Sequence, residues 1–263
     1  MSQSLRERLY RTNAIVLQSR DLGEADRVFV VYTPFHGKLS IIAKGARRAK
    51  SRLGPYLDYF SEVALHLTRG RDLDIVTSVT TVNQHPLLRE SIDAYGHAAH
   101  FAELVRDLTQ ENQENHQVYA LLGSSLVLLN DGMDPWPVAR HFELGLLIAL
   151  GYQPELFRCV NCERDLEPTP NVFSSQLGGM LCAACSSLDP GAPALSINAQ
   201  KYLRTLARTG LGAVIGLEPS VSERGEISQT MFAYLRHVGD RDYSSLRVLG
   251  AMLDMSSGQR AKE

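Results

Sequence analysis

Two Cys-x-x-Cys pairs, Cys159-x-x-Cys162 and Cys182-x-x-Cys185, contain all four cysteines of this 263-residue chain. Nineteen residues separate the pairs. Residues 1–11 are charged where a signal peptide would need an apolar segment, so a cytosolic chain with reduced thiols is the expectation. In that setting the arrangement reads as metal binding before it reads as disulfides. Zn²⁺ favours four thiolates in a tetrahedron, and two such knuckles supply them with little backbone strain. A sphere filled by thiolates leaves no position for a reacting water, which makes the expected zinc structural rather than catalytic. Iron accepts the same ligands. Gly178-Gly179 offers the tight turn that the second knuckle needs. The module spans residues 156–190 and has almost no apolar core of its own, so its order should depend on the metal.

The first 82 residues have a different character. Runs at 12–18, 27–33, 38–44, 59–69 and 72–82 are rich in Val, Ile, Leu and Thr, with turn signals at His36-Gly37 and Arg69-Gly70. In the fourth run Tyr59, Val63, Leu65 and Leu67 share one face, while Phe60, Glu62 and His66 share the other. Such alternation marks a half-buried antiparallel strand. Five strands in about 80 residues suit a small barrel, of which the OB fold is one kind. After His85-Pro86 the pattern turns helical, with expected helices at 89–108, 117–129, 137–150, 196–208, 226–238 and 244–255. Ser196 is an expected N-cap, Pro lies just inside the start of the third helix, and Gly151 lies just past its end. The tail after Ser256 is expected to fray. The expected class is α+β: an N-terminal OB barrel (1–82), then an α-helical domain (83–263) with the zinc module inserted.

A formal net charge of -2 conceals an asymmetry. Residues 1–82 hold 13 Lys and Arg against 8 Asp and Glu, while the rest holds 14 against 21. Lys44, Arg47, Arg48, Lys50 and Arg52 put five cations into nine residues between two strands, a spacing that follows a phosphate backbone. Lys38 precedes them, and Arg69 and Arg71 flank the next hairpin. Among Phe29, Tyr32, Phe35, Tyr56 and Phe60, one or two could stack on bases, and Phe60 is the expected exposed one. Lys201, Arg204 and Arg208 share a helix face, suited to phosphate or to an acidic peptide; as a plain solvated face they need no ligand.

Catalytic patterns do not hold. G-x-S-x-G, H-E-x-x-H and G-x-G-x-x-G are missing, and Lys50 stands where a P-loop would need its second glycine. Asp72 and Asp74 alone are weak grounds for a metal-dependent nuclease, and His97 with His100 reads as structural.

Taken in order, Ala14-Ile-Val-Leu17, Gly23-Glu-Ala-Asp-Arg27, Thr33-Pro34, Gly37-Lys-Leu39, Ala43-Lys-Gly-Ala-Arg-Arg48 and Ser51-Arg52 resemble the RecO family of bacterial recombination mediators. The likeness resumes at Phe142-Glu-Leu-Gly-Leu-Leu147, Leu150-Gly-Tyr152 and Pro154, and runs from Phe173 through Gly178-Gly179 to the second cysteine pair. It implies an OB domain joined to a helical domain bearing zinc, binding to single- and double-stranded DNA, and annealing of strands. It also implies cooperation with RecR in loading RecA onto DNA coated by single-strand binding protein (SSB), with no enzymatic step. The basic residues matching the family's OB surface are Lys38, Lys44, Arg47, Arg48 and Arg52. In some members the acidic SSB tail docks on the helical domain. Two rival readings are a zinc-bearing OB adaptor for proteins, which predicts no DNA affinity, and an RNA-binding zinc-ribbon protein, which predicts a preference resting on 2′-hydroxyls.

Overall fold

The computed structural model describes residues 8–250. The chain forms two compact units that divide between Met133 and Asp134.

In the first unit, β1 (Leu9–Leu22), β2 (Asp26–Thr33), β3 (Gly37–Ala43), β4 (Glu62–Thr68) and β5 (Asp74–Asn83) form a closed barrel in the order β1-β2-β3-β5-β4. All neighbours are antiparallel except β3 and β5, whose parallel pairing sets Ile41 opposite Asp74 and Ile42 opposite Ile75. This is the five-stranded Greek-key closure of an OB barrel. Alternation places Val63, Leu65 and Leu67 of β4 and Leu39, Ile41 and Ala43 of β3 inside, with Phe29, Val31 and Val76. The continuous apolar run of β1, Ala14 to Leu17, is buried on both faces. Ala14 and Val16 point into the barrel, while a methyl of Ile15 lies 3.7 Å from where a Cβ on Gly123 would stand.

Gly123 belongs to α2 (His116–Asn130), which follows α1 (Ile92–Leu108). Ser91 caps α1 through the Ala94 amide, and Asn115 caps α2 through that of Val118. The change from strands to helices falls near residue 85, yet α1 and α2 belong to the barrel's compact unit. Lys38 shows how they are joined. Its ammonium donates to the carbonyls of Arg106 and Thr109, oxygens that the end of α1 leaves without helical partners. Nearby, the Asn112 amide donates to the Lys38 carbonyl at 3.0 Å, and the Ser40 hydroxyl to Glu111 at 2.9 Å.

The second unit holds α3 (Pro135–Ala149), α4 (Ile197–Thr209) and α5 (Val221–Gly239), with residues 244–250 helical as well. The last expected helix, 244–255, extends beyond the described residues, and so does the tail after Ser256. Asp134 caps α3 and Pro135 occupies its first turn, so the helix starts two residues before the expected Pro137. Gly151 follows with φ +85°, a left-handed stop. Ser196 caps α4 as expected. Helix α5 begins five residues before the expected position, because Ser220 and Glu223 form a reciprocal capping box. Between α3 and α4 lies a small sheet, in the order β7-β6-β8, of β6 (Asn171–Ser174), β7 (Gly179–Leu181) and β8 (Ala194–Leu195). Inside α3, Arg140 and Glu143 form a fully buried ion pair, and the Arg140 guanidinium lies 4.8 Å from the Phe232 ring centre. Removing one partner of such a pair is far more damaging than removing both.

Replacing Lys38 with Met takes the donor from two helix-end carbonyls. The expected outcome in urea unfolding is a loss of about 1 to 3 kcal/mol, with DNA affinity per folded molecule unchanged.

Candidate metal centre and nucleic-acid interface

The four cysteine sulfurs lie within 4.8 Å of one another. Cys162 and Cys182 are 3.8 Å apart, close to the edge of about 3.8 Å expected for a tetrahedron with metal–sulfur bonds of about 2.3 Å. Each knuckle is shaped by its own backbone. The Cys159 amide donates to the Arg164 carbonyl, and Glu163 adopts φ +60° as its amide returns to the Cys159 carbonyl. The Cys185 amide donates to the Cys182 carbonyl at 2.9 Å. Gly178, with φ +75°, turns the chain into β7. A Cβ on Gly179 would stand 2.5 Å from the Glu155 carbonyl oxygen, so the approach of the two knuckles requires glycine there.

The thiols are electrostatically unequal. Burial pushes the Cys159 thiol up, but amides of Cys162, Cys182 and Asn161 more than offset it and hold its pKa at about 6. The Asn161 side-chain amide, 3.3 Å from the Cys185 sulfur, favours that thiolate. Burial and the three neighbouring sulfurs nonetheless push Cys185 up to about 11. Four thiolates this close need a cation to share their charge. The apolar cluster around them, Val160, Leu166, Val172 and Leu181, is small, and Phe173 of the module packs edge-on to Tyr234 of α5.

The cations expected to meet DNA fall into two groups. Lys44, Arg48, Lys50, Arg52 and Arg71 are exposed and make no ion pair among the described residues. Arg47 differs. It pairs with Asp21 at 3.2 Å and donates to the Gly23 carbonyl at 3.0 Å, pinning the basic loop to the β1–β2 turn. Arg69 lies over the Tyr10 ring at 5.4 Å. Two expectations need correction. Lys38 directs its ammonium at the end of α1, and burial pushes its pKa down. Phe60 is only 4% exposed, with φ +66°, and packs edge-on to Tyr95. That backbone turn breaks the alternation and swings its ring inward. Of the five candidate aromatics the most exposed is Phe35, at 66%, followed by Tyr56 at 41%.

On α4 the three expected cations also diverge. Arg204 donates to the Leu156 carbonyl at 2.7 Å and to Gln200 at 3.1 Å, clamping the helix to the start of the cysteine module. Arg208 lies over the Phe157 ring at 4.1 Å, and Lys201 is exposed. Asp74 accepts the Tyr10 hydroxyl and the Gly70 amide, so this carboxylate holds the β4–β5 loop.

Residues 7–85 match a family model described as Recombination protein O N terminal, and residues 89–247 match Recombination protein O C terminal. The chain is similar to the DNA repair protein RecO of Roseiflexus sp., 38% identical over 251 residues, which covers 95% of this chain and 88% of that protein. It is also similar to DNA repair protein RecO of Pelotomaculum thermopropionicum, at 34% over 97% of this chain and 99% of that protein. With the same protein of Symbiobacterium thermophilum it shares 33%, over 93% and 98%.

Purified protein is expected to carry about one metal ion per chain, bound by the four thiolates. Cys159→Ser should abolish that stoichiometry and lower the thermal midpoint by at least ~5 °C. A metal-free variant of unchanged midpoint would contradict a structural centre.

Proposed function

This chain belongs to the RecO family of DNA repair proteins, and on that premise we propose that it holds DNA by charge and helps exchange its protein coat. The basic loop of Lys44, Arg48, Lys50 and Arg52, with Arg71, contacts phosphates of single and double strands without reading sequence. Screening by these cations lowers the repulsion between complementary strands and lets them anneal. Together with RecR, the bound protein assists RecA onto single strands coated by SSB, in the cytoplasm. Lys201, and Arg208 over the Phe157 ring, are the open cations of α4 among the three expected, suited to an acidic peptide or phosphate.

The observation that carries this reading is the set of five exposed cations on the OB barrel that no carboxylate among the described residues neutralises. Arg47 shapes the loop rather than leading the contact, since its guanidinium is taken by Asp21 and the Gly23 carbonyl. The ion in the cysteine module is zinc, which four thiolates at tetrahedral spacing suit. Its sphere, filled by sulfur, gives stability and no chemistry. Annealing and coat exchange need neither a nucleophile nor a nucleotide. In the described residues, no helix is long and apolar enough to cross a membrane.

The paired change Arg48→Ala and Lys50→Ala tests the interface. Affinity should fall alike for unrelated sequences, and the slope of log affinity against log salt should flatten by about 1 to 2. An unchanged slope would remove this loop from the interface.

A further inference from the structure

A cleft of about 260 Å³ opens on the barrel beside the β2–β3 turn, away from the basic loop. Phe35 and His36 from the turn, Tyr10 from β1, Arg69 from the β4–β5 loop, Asp74 at the start of β5, and Glu114 line it. Gly37 starts β3 beside the cleft, and Ala43 ends that strand where the basic loop begins. At about 3.3 Å per residue the two features are roughly 20 Å apart along the strand. We propose that this cleft is a subsite for one unpaired nucleobase, stacked on Phe35.

Several observations support that occupant. Phe35 is 66% exposed, although the turn that carries it is rigid. The Thr33 hydroxyl donates to the Gly37 carbonyl at 3.0 Å and accepts the His36 amide at 3.1 Å. A Cβ on Gly37 would stand 1.9 Å from the Gln113 carbonyl oxygen, which shows how closely the α1–α2 loop buttresses the turn. The His116 ring lies 6.0 Å from Phe35. An apolar ring held in water by a fixed turn is preorganised for a flat partner, with little ordering cost left on binding. Tyr10 forms a second wall, gripped by Asp74, by Arg69 over its face and by the His36 edge at 5.0 Å.

The rim selects the part of a nucleotide that enters. Asp74 and Glu114 repel a phosphate but accept the amino hydrogens of a base edge. Arg69 and Arg71 on the adjoining loop remain for the flanking phosphates. Duplex DNA keeps its bases stacked and offers none to Phe35, so the subsite distinguishes single strands from double. An OB domain spans roughly 4 to 16 nucleotides, enough to reach from the basic loop to this cleft.

The inference rests on the DNA-binding reading above, and its test separates the two. A fluorescein-labelled 15-nucleotide single strand and the matching duplex are titrated with wild-type protein, Phe35→Ala, and the Arg48→Ala, Lys50→Ala pair. Phe35→Ala should weaken single-strand binding roughly 5- to 150-fold, with the salt slope and duplex affinity unchanged. The arginine–lysine pair should weaken both substrates and flatten the slope. Phe35→Trp should keep single-strand affinity, and its added emission should be quenched by the single strand but not by the duplex; the native tryptophan, Trp136, is buried. Equal single-strand affinity of wild type and Phe35→Ala overturns the subsite while leaving the basic loop in place. An emission from Phe35→Trp unmoved by single strands overturns it as well. No binding by the wild type overturns both readings.

Discussion

One ammonium group joins the barrel wall to the end of α1. Lys38 leaves the barrel wall and donates to two carbonyls at the end of α1, where a helix has acceptors and no donors of its own. Around that joint the α1–α2 loop settles against the β2–β3 turn, through the Asn112 amide and the pair of Ser40 with Glu111. The rigidity of the turn that exposes Phe35 follows from this packing. So does the membership of α1 and α2 in the barrel's unit, even though the residue pattern changes at the strand–helix transition.

Elsewhere, charge is divided between holding the fold and facing outward. Arg47, Lys38 and Arg204 each donate to main-chain carbonyls, which fixes a loop, a helix end and a module entrance in turn. Of the open cations on the barrel, Lys44, Arg48, Lys50 and Arg52 sit on the loop after β3 and Arg71 between β4 and β5, where they remain open to polyanions. In the second unit the same economy applies to the cysteines. Amide donors stabilise one thiolate, neighbouring sulfurs resist the next, and a cation held by the four sulfurs would resolve the conflict.

What could be read from the residues was local. Alternation in β4, the Cys-x-x-Cys spacing and the Ser196 cap depend on neighbours within a few positions, and each matches the structure. The start of α5 is equally local: Ser220-x-x-Glu223 is a capping-box pattern that begins the helix five residues before the apolar periodicity does. Phe60 failed for a different reason. A positive φ at a non-glycine residue, held by the His85 ring nitrogen 3.0 Å from its carbonyl oxygen, turns the ring inward, and no period of two reveals that. Lys38 and Arg204 resemble any surface cation until the fold brings carbonyls 68 and 48 positions distant within reach. The buried Arg140–Glu143 pair left only a faint trace, two charges three apart in an apolar helix.

The central claim is that open cations on the barrel bind DNA without reading its sequence. Its most direct test is the affinity of the metal-loaded wild-type protein for unrelated single strands across a salt series. Five open cations predict a slope of log affinity against log salt of about -3 to -4, the same for every sequence. A slope near zero, or no binding at low salt, would contradict the account.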